Sequence, residues 1–239
     1  MPLIRESGVV LRTYKLGEAD RIIVFMTRDR GKVRAVAKGV RKTRSKFGSR
    51  LEPTSHVNLQ LHEGRSELAL VTQAESVEVF SAVRSDLDRM GRAASMLEVV
   101  DQVAQDGHPD RGLYEMLLGG LRAVEHRASP LVTAAFFLKL LAAEGVGIVV
   151  DRCAACGVTE DLVAFDLNDG GVRCSAHRSG VGISPDARAL LDQVLGGRLA
   201  WALDQPAIPA TYEVDRLAGL AMELHVDRRL KALHIIEQM

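Results

Sequence analysis

Apolar and polar positions along the chain follow two different periods. In the first third, short runs rich in Val, Ile and Leu cover Gly8–Thr13, Arg21–Thr27, Lys32–Lys38, His56–His62 and Glu67–Ala74, with turn residues such as Gly17, Asp29–Gly31 and Glu63-Gly64 between them. Runs of this length bounded by turn formers predict five strands. In the fourth, Val57, Leu59 and Leu61 alternate with Asn58, Gln60 and His62, so a period of two sends one set to a core and the other to water. Five compact antiparallel strands in about 80 residues have the size of an OB-fold, a partly open barrel, although an SH3-like barrel has the same outline.

After about Phe80 the spacing becomes helical. Met90, Ala93, Leu97, Val100 and Ala104 recur at three or four residues, as do Leu113, Met116, Leu117, Leu121 and Val124. Asp106-Gly107-His108-Pro109 separates these two helices, and Ser129-Pro130 precedes a third over Leu131–Glu144 that Gly145 stops. Ser184-Pro185 reads as an N-cap and first-turn proline for a helix over Asp186–Leu195. A last helix is expected from about Glu213 towards Leu230, with Leu217, Leu220, Ala221 and Leu224 inward. The expected class is α+β: an OB-fold domain over residues 1–80, then a helical domain over residues 81–239 with a zinc-binding insertion at about 151–180.

Composition supports a folded chain and narrows its class. Of 239 residues, 47% are hydrophobic, an ordinary level for a globular core. No apolar run approaches the ~18 residues of a membrane span, and the start, Met1-Pro2-Leu3-Ile4-Arg5-Glu6, lacks the apolar stretch of a secretory signal, so a cytoplasmic protein without membrane partners is expected. Formal net charge is zero, yet residues 1–50 hold 14 basic against four acidic residues, an excess of ten that the remainder reverses. The amino-terminal end is therefore suited to a polyanion.

Most of that excess lies between Arg28 and Arg50, where Asp29 is the single acid. Strand alternation puts Lys32, Arg34, Val36 and Lys38 on one face of the third strand and Val33, Ala35 and Ala37 towards the barrel interior. The next segment, with Arg41, Lys42, Arg44, Lys46 and Arg50, is too charged for a core and is expected to be a mobile loop that extends the cationic stripe along a phosphate backbone. The bland alternative is a solvated loop that only aids solubility. Aromatic residues make up 4% of the chain, and near the stripe only Tyr14, Phe25 and Phe47 could stack on bases. Binding dominated by Lys and Arg ignores sequence and falls with salt, with a log–log slope of roughly −4 for about six contacts on a single strand.

All three cysteines fall in one short segment. Cys153-Ala154-Ala155-Cys156-Gly157 has the spacing of a metal knuckle, and Cys174-Ser175-Ala176-His177 offers a second pair. The intervening Leu162–Asp166, Asn168–Gly171 and Val172-Arg173 suggest a β-hairpin that brings the pairs together. Three thiolates and a neutral imidazole make a closed tetrahedral set for one structural Zn2+ per chain, with no place for catalytic water. Against this stands the reading of the cysteines as small buried hydrophobes. His56, His62, His108, His126, His225 and His234 have no partners at ligand spacing and are read as structural.

No phosphate-binding loop, nucleophile elbow or paired carboxylates in a glycine-rich setting is present, and Asp86/Asp88 belong to a helix surface, so no enzyme is expected. A zinc-ribbon regulator of transcription shares the metal and the basic charge and is the alternative, though it would need a sequence-reading element.

The segments Ser7–Leu11, Gly17–Ile23 and Gly31–Arg41 resemble the opening of RecO proteins, and Phe137–Leu141, Gly145 and the Cys153–Cys156 knuckle resemble the helix leading into that family's zinc insertion. The resemblance is weakest over residues 80–130 and 195–239. It implies a mediator of DNA repair and recombination that binds single- and double-stranded DNA, anneals complementary strands and works with RecR to load RecA onto strands coated by single-stranded DNA-binding protein. It also implies a nucleoid-associated location, DNA contacts at Lys32, Arg34, Lys38 and Arg41, and zinc ligands at Cys153, Cys156 and Cys174. His177 stands where the family often has a fourth cysteine. The acidic, hydrophobic tail of single-stranded DNA-binding protein would dock on the helical domain, with Arg122, Lys139, Arg228, Arg229 and Lys231 as candidate contacts.

Overall fold

The computed structural model describes residues 3–63 and 68–233. They fall into two compact units, residues 3–125 and His126–Leu233. No helix among them is long and apolar enough to cross a membrane.

The first unit is built on a closed five-stranded barrel of order β1-β2-β3-β5-β4, formed by β1 (Leu3–Leu16), β2 (Asp20–Thr27), β3 (Gly31–Ala37), β4 (His56–His62) and β5 (Ala69–Glu78). This is an OB-like barrel. β1 begins five residues before the expected Gly8, because its first half pairs with β4 and its second half with β2. A bulge between Val10 and Arg12 lets one strand serve both neighbours. β5 runs beyond Ala74 to Glu78, and the expected start at Glu67, like Gly64 of the turn before it, lies outside the described residues. Inward positions follow the period of two: Val10, Ile23, Phe25, Ala35, Val57, Leu59 and Leu61 are all buried in one core.

The barrel's weakest seam is the parallel pairing of β3 with β5, which has only two register pairs, Ala35↔Ala69 and Val36↔Leu70. Helix α1 (Ser81–Ser85) follows, then α2 (Leu87–Val103) and α3 (Arg111–His126). The turn between α2 and α3 completes the seam, since the Lys32 N–H donates to the Gln105 carbonyl and the Gly107 N–H to the Lys32 carbonyl. Gly31 makes this approach possible: its φ is 65°, and a Cβ there would stand 1.9 Å from the His108 carbonyl oxygen. Asp86 caps α2 by accepting the Arg89 N–H, and Asp88 pairs with Arg92, so both acids serve the helix. Met90, expected on the inner face, is exposed, and Ala93, Met96, Leu97 and Val100 supply the buried face.

The second unit centres on α4 (Leu131–Ala143), which is apolar nearly all round and packs against α7 (Pro209–His225). Helices apolar on every side are buried ones. Helix α5 (Pro185–Leu195) has the expected cap, with the Ser184 hydroxyl accepting the Ala187 N–H at 3.2 Å, and α6 (Leu199–Leu203) follows. α7 starts and ends several residues before the expected span. Its buried stripe is Ala210, Val214, Leu217, Ala218 and Met222, whereas Leu224, expected inward, is exposed. Between α4 and α5 lies a three-stranded sheet of β6 (Leu162–Asp166), β7 (Gly171–Cys174) and a two-residue β8 (Val181–Gly182). The hairpin matches the expectation. The third strand does not stand out in a pattern only two residues long.

Candidate nucleic-acid interface and metal centre

The basic segment after β3 is not the mobile loop its charge suggests. Phe47 and Leu51, each 1% exposed, insert into the barrel core, and Val40 packs partly against it. Each full burial of that kind contributes about 1.5–3 kcal/mol. The backbone is tied down too: Gly39 N–H donates to the Asp20 carboxylate at 2.7 Å, Arg41 N–H to the Ala19 carbonyl, and at its far end Thr54 N–H donates to the Val10 carbonyl while Val10 N–H donates to the Ser55 carbonyl. The segment is a cover over the barrel that presents its cations outward. Phe47 therefore cannot stack on bases, and neither can Phe25, which is fully buried in β2. Tyr14 is exposed, with the Arg12 guanidinium 4.9 Å from its ring centre.

The predicted cations divide by what already neutralises them. Lys32 is 10% exposed and turns inward: its Nζ donates to the Asp101 carbonyl at 2.7 Å and lies within 4 Å of the Asp101 and Asp106 carboxylates. Asp101, 3% exposed, also holds Arg12 at 2.8 Å. Arg34 is half-exposed but pairs with Asp106 at 3.2 Å. By contrast, Lys38, Arg41, Lys42, Arg44, Lys46 and Arg50 are all exposed, and none forms an ion pair among the described residues. Where these six have partners, the partners are neutral: Arg41 donates to the Gly17 and Glu18 carbonyls, Lys46 to that of Thr72 while lying 5.0 Å from the Phe47 ring centre, and Arg50 to those of Lys46 and Phe47. Such bonds fix the side chains without cancelling their charge, which leaves an ordered positive surface for a phosphate chain.

Behind the barrel's β1–β4 pair sits a network that sequence reasoning reduced to a lone structural histidine. His56 Nδ1 donates to the Glu78 carboxylate at 2.9 Å, and its Nε2 is 2.9 Å from the Tyr114 hydroxyl and 3.1 Å from the Ser7 hydroxyl. Arg122 grips Glu78 with two bonds of 2.9 Å, which hold that carboxyl below its ordinary value, helped by the His56 bond. Arg122, a candidate peptide contact, is thus occupied in binding α3 to β5. The other candidates, Lys139, Arg228, Arg229 and Lys231, belong to the second unit. Of the remaining histidines, His108 bonds the Asp106 carbonyl and His225 approaches Glu144, while His234 lies outside the described residues.

The second unit brings the four predicted ligands together. Cys153, Cys156, Cys174 and His177 place their ligand atoms all within 4.8 Å of one another. The knuckle is closed by the Gly157 N–H to the Cys153 carbonyl and the Cys153 N–H to the Val158 carbonyl, with Gly157 at φ 77°. The register Leu162↔Cys174 and a short 3-10 turn over Ser175–His177 deliver the other pair. Cys156 Sγ and Cys174 Sγ are 3.8 Å apart, and Cys174 Sγ is 3.4 Å from His177 Nδ1. A tetrahedral ion at about 2.3 Å from sulfur and about 2.0 Å from nitrogen requires separations of about 3.8 and 3.5 Å. The donor set fits one metal ion. Backbone N–H groups, that of Cys174 first, push the Cys153 thiol down to about 6, so its thiolate form is available at neutral pH. The Val158 N–H acts likewise on Cys156, but burial and the two neighbouring thiols prevail and push that thiol up. This opposition of like groups is what a bound cation relieves.

Comparison with known proteins agrees over the whole chain. Residues 1–80 match the model of the Recombination protein O N terminal family, and residues 84–234 match that of Recombination protein O C terminal. A protein of Frankia casuarinae named DNA repair protein RecO is 42% identical over 244 residues, covering all of both chains. One of a Nocardioides species with the same name is 42% identical over 247 residues, covering 99% of this chain and all of its own. With an OB-like barrel under a cationic cover, a helical second unit whose four clustered Cys and His side chains could hold a metal ion, and relatives matched over 99% or more of its length, the chain belongs to the recombination protein O (RecO) family of DNA repair proteins.

Proposed function

We propose that this protein is a non-catalytic mediator of recombinational repair: it binds single- and double-stranded DNA through its barrel, anneals complementary strands, and acts with RecR to load RecA onto strands coated by single-stranded DNA-binding protein. The observation that carries this reading is the set of six exposed, unneutralised cations on an anchored segment. Lys38, Arg41, Lys42, Arg44, Lys46 and Arg50 form the main DNA surface, while Lys32 and Arg34 support it from within their ion pairs. In this reading residues 1–80 are the DNA-binding domain. Residues 81–239 form the partner-binding part, with its insertion at about 151–180, and the acidic tail of single-stranded DNA-binding protein docks there, with Lys139, Arg228, Arg229 and Lys231 as candidate contacts. The protein works in the cytoplasm, associated with the nucleoid, and needs no membrane.

The metal is one Zn2+ per chain, held by Cys153, Cys156, Cys174 and His177. It supplies cross-linking: a closed set of ligands ties the knuckle to the end of the hairpin and adds its binding energy to folding.

Charge reversal at Arg41, Lys42 and Arg44 tests the central claim. Affinity for a single-stranded oligonucleotide should fall by more than tenfold, the salt slope should flatten by about 2 at roughly 0.7 per lost contact, and strand annealing, which needs neither ATP nor a particular sequence, should fall in parallel. Unchanged binding refutes the assignment.

A further inference from the structure

Annealing brings two strands to one protein, and the cationic cover accounts for one. A barrel of this class commonly grips a strand on the face of β2 and β3. Here the β3 cations on the side away from the barrel core already face acids: Lys32, folded under the turn after α2, lies against Asp101 and Asp106, and Arg34 against Asp106. The other outward face, on β1, β4 and β5, is concave and has a different chemistry.

Strand register sets its side chains in two rows. Arg5 stands opposite Gln60, which stands opposite Gln73; Ser7 stands opposite Asn58, which stands opposite Glu75. All six line one pocket of about 480 Å³, within the usual range for small-molecule sites. Arg28 and Asp29, from the turn between β2 and β3, close one side. Arg5 has no acidic partner among the described residues, and Arg28 only a long contact of 3.9 Å to Glu115. The buried Glu6 at the floor accepts the Ser7 and Asp29 N–H groups, and burial raises its carboxyl above its ordinary value.

This surface is nearly neutral, so it does not attract a polyanion by charge alone. What it offers is three carboxamides, of which Gln73 spends one amide hydrogen on Glu75 and keeps its other hydrogen and its oxygen, beside two arginines and the carboxylates of Asp29 and Glu75. Side-chain amides pair bidentately with the edges of bases, and arginine with phosphate or guanine. We infer that the pocket on β1, β4 and β5 is a second single-strand site that holds an unpaired nucleotide by its base edge through Asn58, Gln60 and Gln73, with Arg5 and Arg28 on the flanking phosphates. The inference rests on the DNA-binding reading above and adds to it: the cover binds one strand by charge, and the pocket holds the other with its base unpaired.

The two sites differ in how they respond to salt. Two phosphate contacts give a log–log slope of about −1.4, against roughly −4 for the cover. Binding of a fluorescent oligothymidylate, which cannot pair with itself, is titrated against the full-length protein at several salt concentrations. The expected result is two strands per chain, the second binding with the shallow slope. Asn58→Ala/Gln60→Ala/Gln73→Ala should weaken the second phase by about tenfold or more, leave the first unchanged and slow annealing. Gln73→Glu, at an exposed position where the amide donates to Glu75, also sets two carboxylates side by side in the pocket and should weaken the second phase as well. Saturation at one strand per chain, or both phases intact in the triple variant, overturns this inference while leaving the cover's role standing. Absence of any binding in dilute buffer overturns the DNA-binding reading itself.

Discussion

Lys32 reaches from β3 to the end of α2, where its ammonium donates to the Asp101 carbonyl at 2.7 Å beside a carboxylate only 3% exposed. A residue that the alternation of β3 assigns to the DNA stripe is thus part of the bond between barrel and helix. Lys32→Ala leaves Asp101 buried with Arg12 alone, and removing one member of such a cluster costs about 1–3 kcal/mol. Urea unfolding should show that loss, while the salt slope for DNA binding of the folded protein stays the same. A slope flattened as far as that of Arg44→Ala would return Lys32 to the stripe.

Asp106 is the counterweight to Arg34. It stands 3.2 Å from Arg34 and 3.6 Å from Lys32, at the turn that seals the barrel seam through backbone bonds. Asp106→Asn keeps those bonds and releases the arginine. DNA affinity at low salt should rise a few-fold, and the slope should steepen by up to about 0.7, the value of one added single-strand phosphate contact. Affinity that stays level would mean that Arg34 lies off the DNA path.

The Glu78 carboxyl sits below its ordinary value of 4.5, chiefly because Arg122 donates to it and, after the opposing effect of burial, because His56 does. A carboxyl lowered on folding stabilises the protein fully above that ordinary value, and the contribution is lost as pH falls through the lower folded one. Stability should therefore drop on acidification below about 4.5, and Glu78→Gln should flatten that limb while lowering the plateau. Unfolding midpoints across pH decide the matter, and identical acid limbs in the two proteins would exclude Glu78 as their source.

Elemental analysis of protein purified without a histidine tag should find about one zinc per chain, and Cys174→Ser or His177→Ala should bring it near zero. Loss of the ion should also open the Cys153–His177 segment to protease, since the sheet there has only short strands to hold it. Full zinc content in both variants would exclude these ligands.

Much of this protein is legible in one dimension because its signals are local. A period of two marks the barrel strands, apolar runs mark the helices, Ser184-Pro185 marks a helix start, and four ligands at knuckle spacing mark the metal centre, since each depends on residues a few positions apart. What tertiary structure alone decides is the fate of each charge. Alternation gives Lys32, Arg34 and Lys38 the same face, but Asp101 and Asp106, some seventy residues later, neutralise the first two and leave the third free. A count of charges made the segment after β3 a loose loop, whereas Phe47 and Leu51 fasten it to a core assembled from all five strands. The pairing of Asn58 with both Ser7 and Glu75 likewise arises only when β1 and β5 flank β4. Ion pairing and burial depend on distance in space, and contacts between residues far apart in the chain come into being only with the closed barrel.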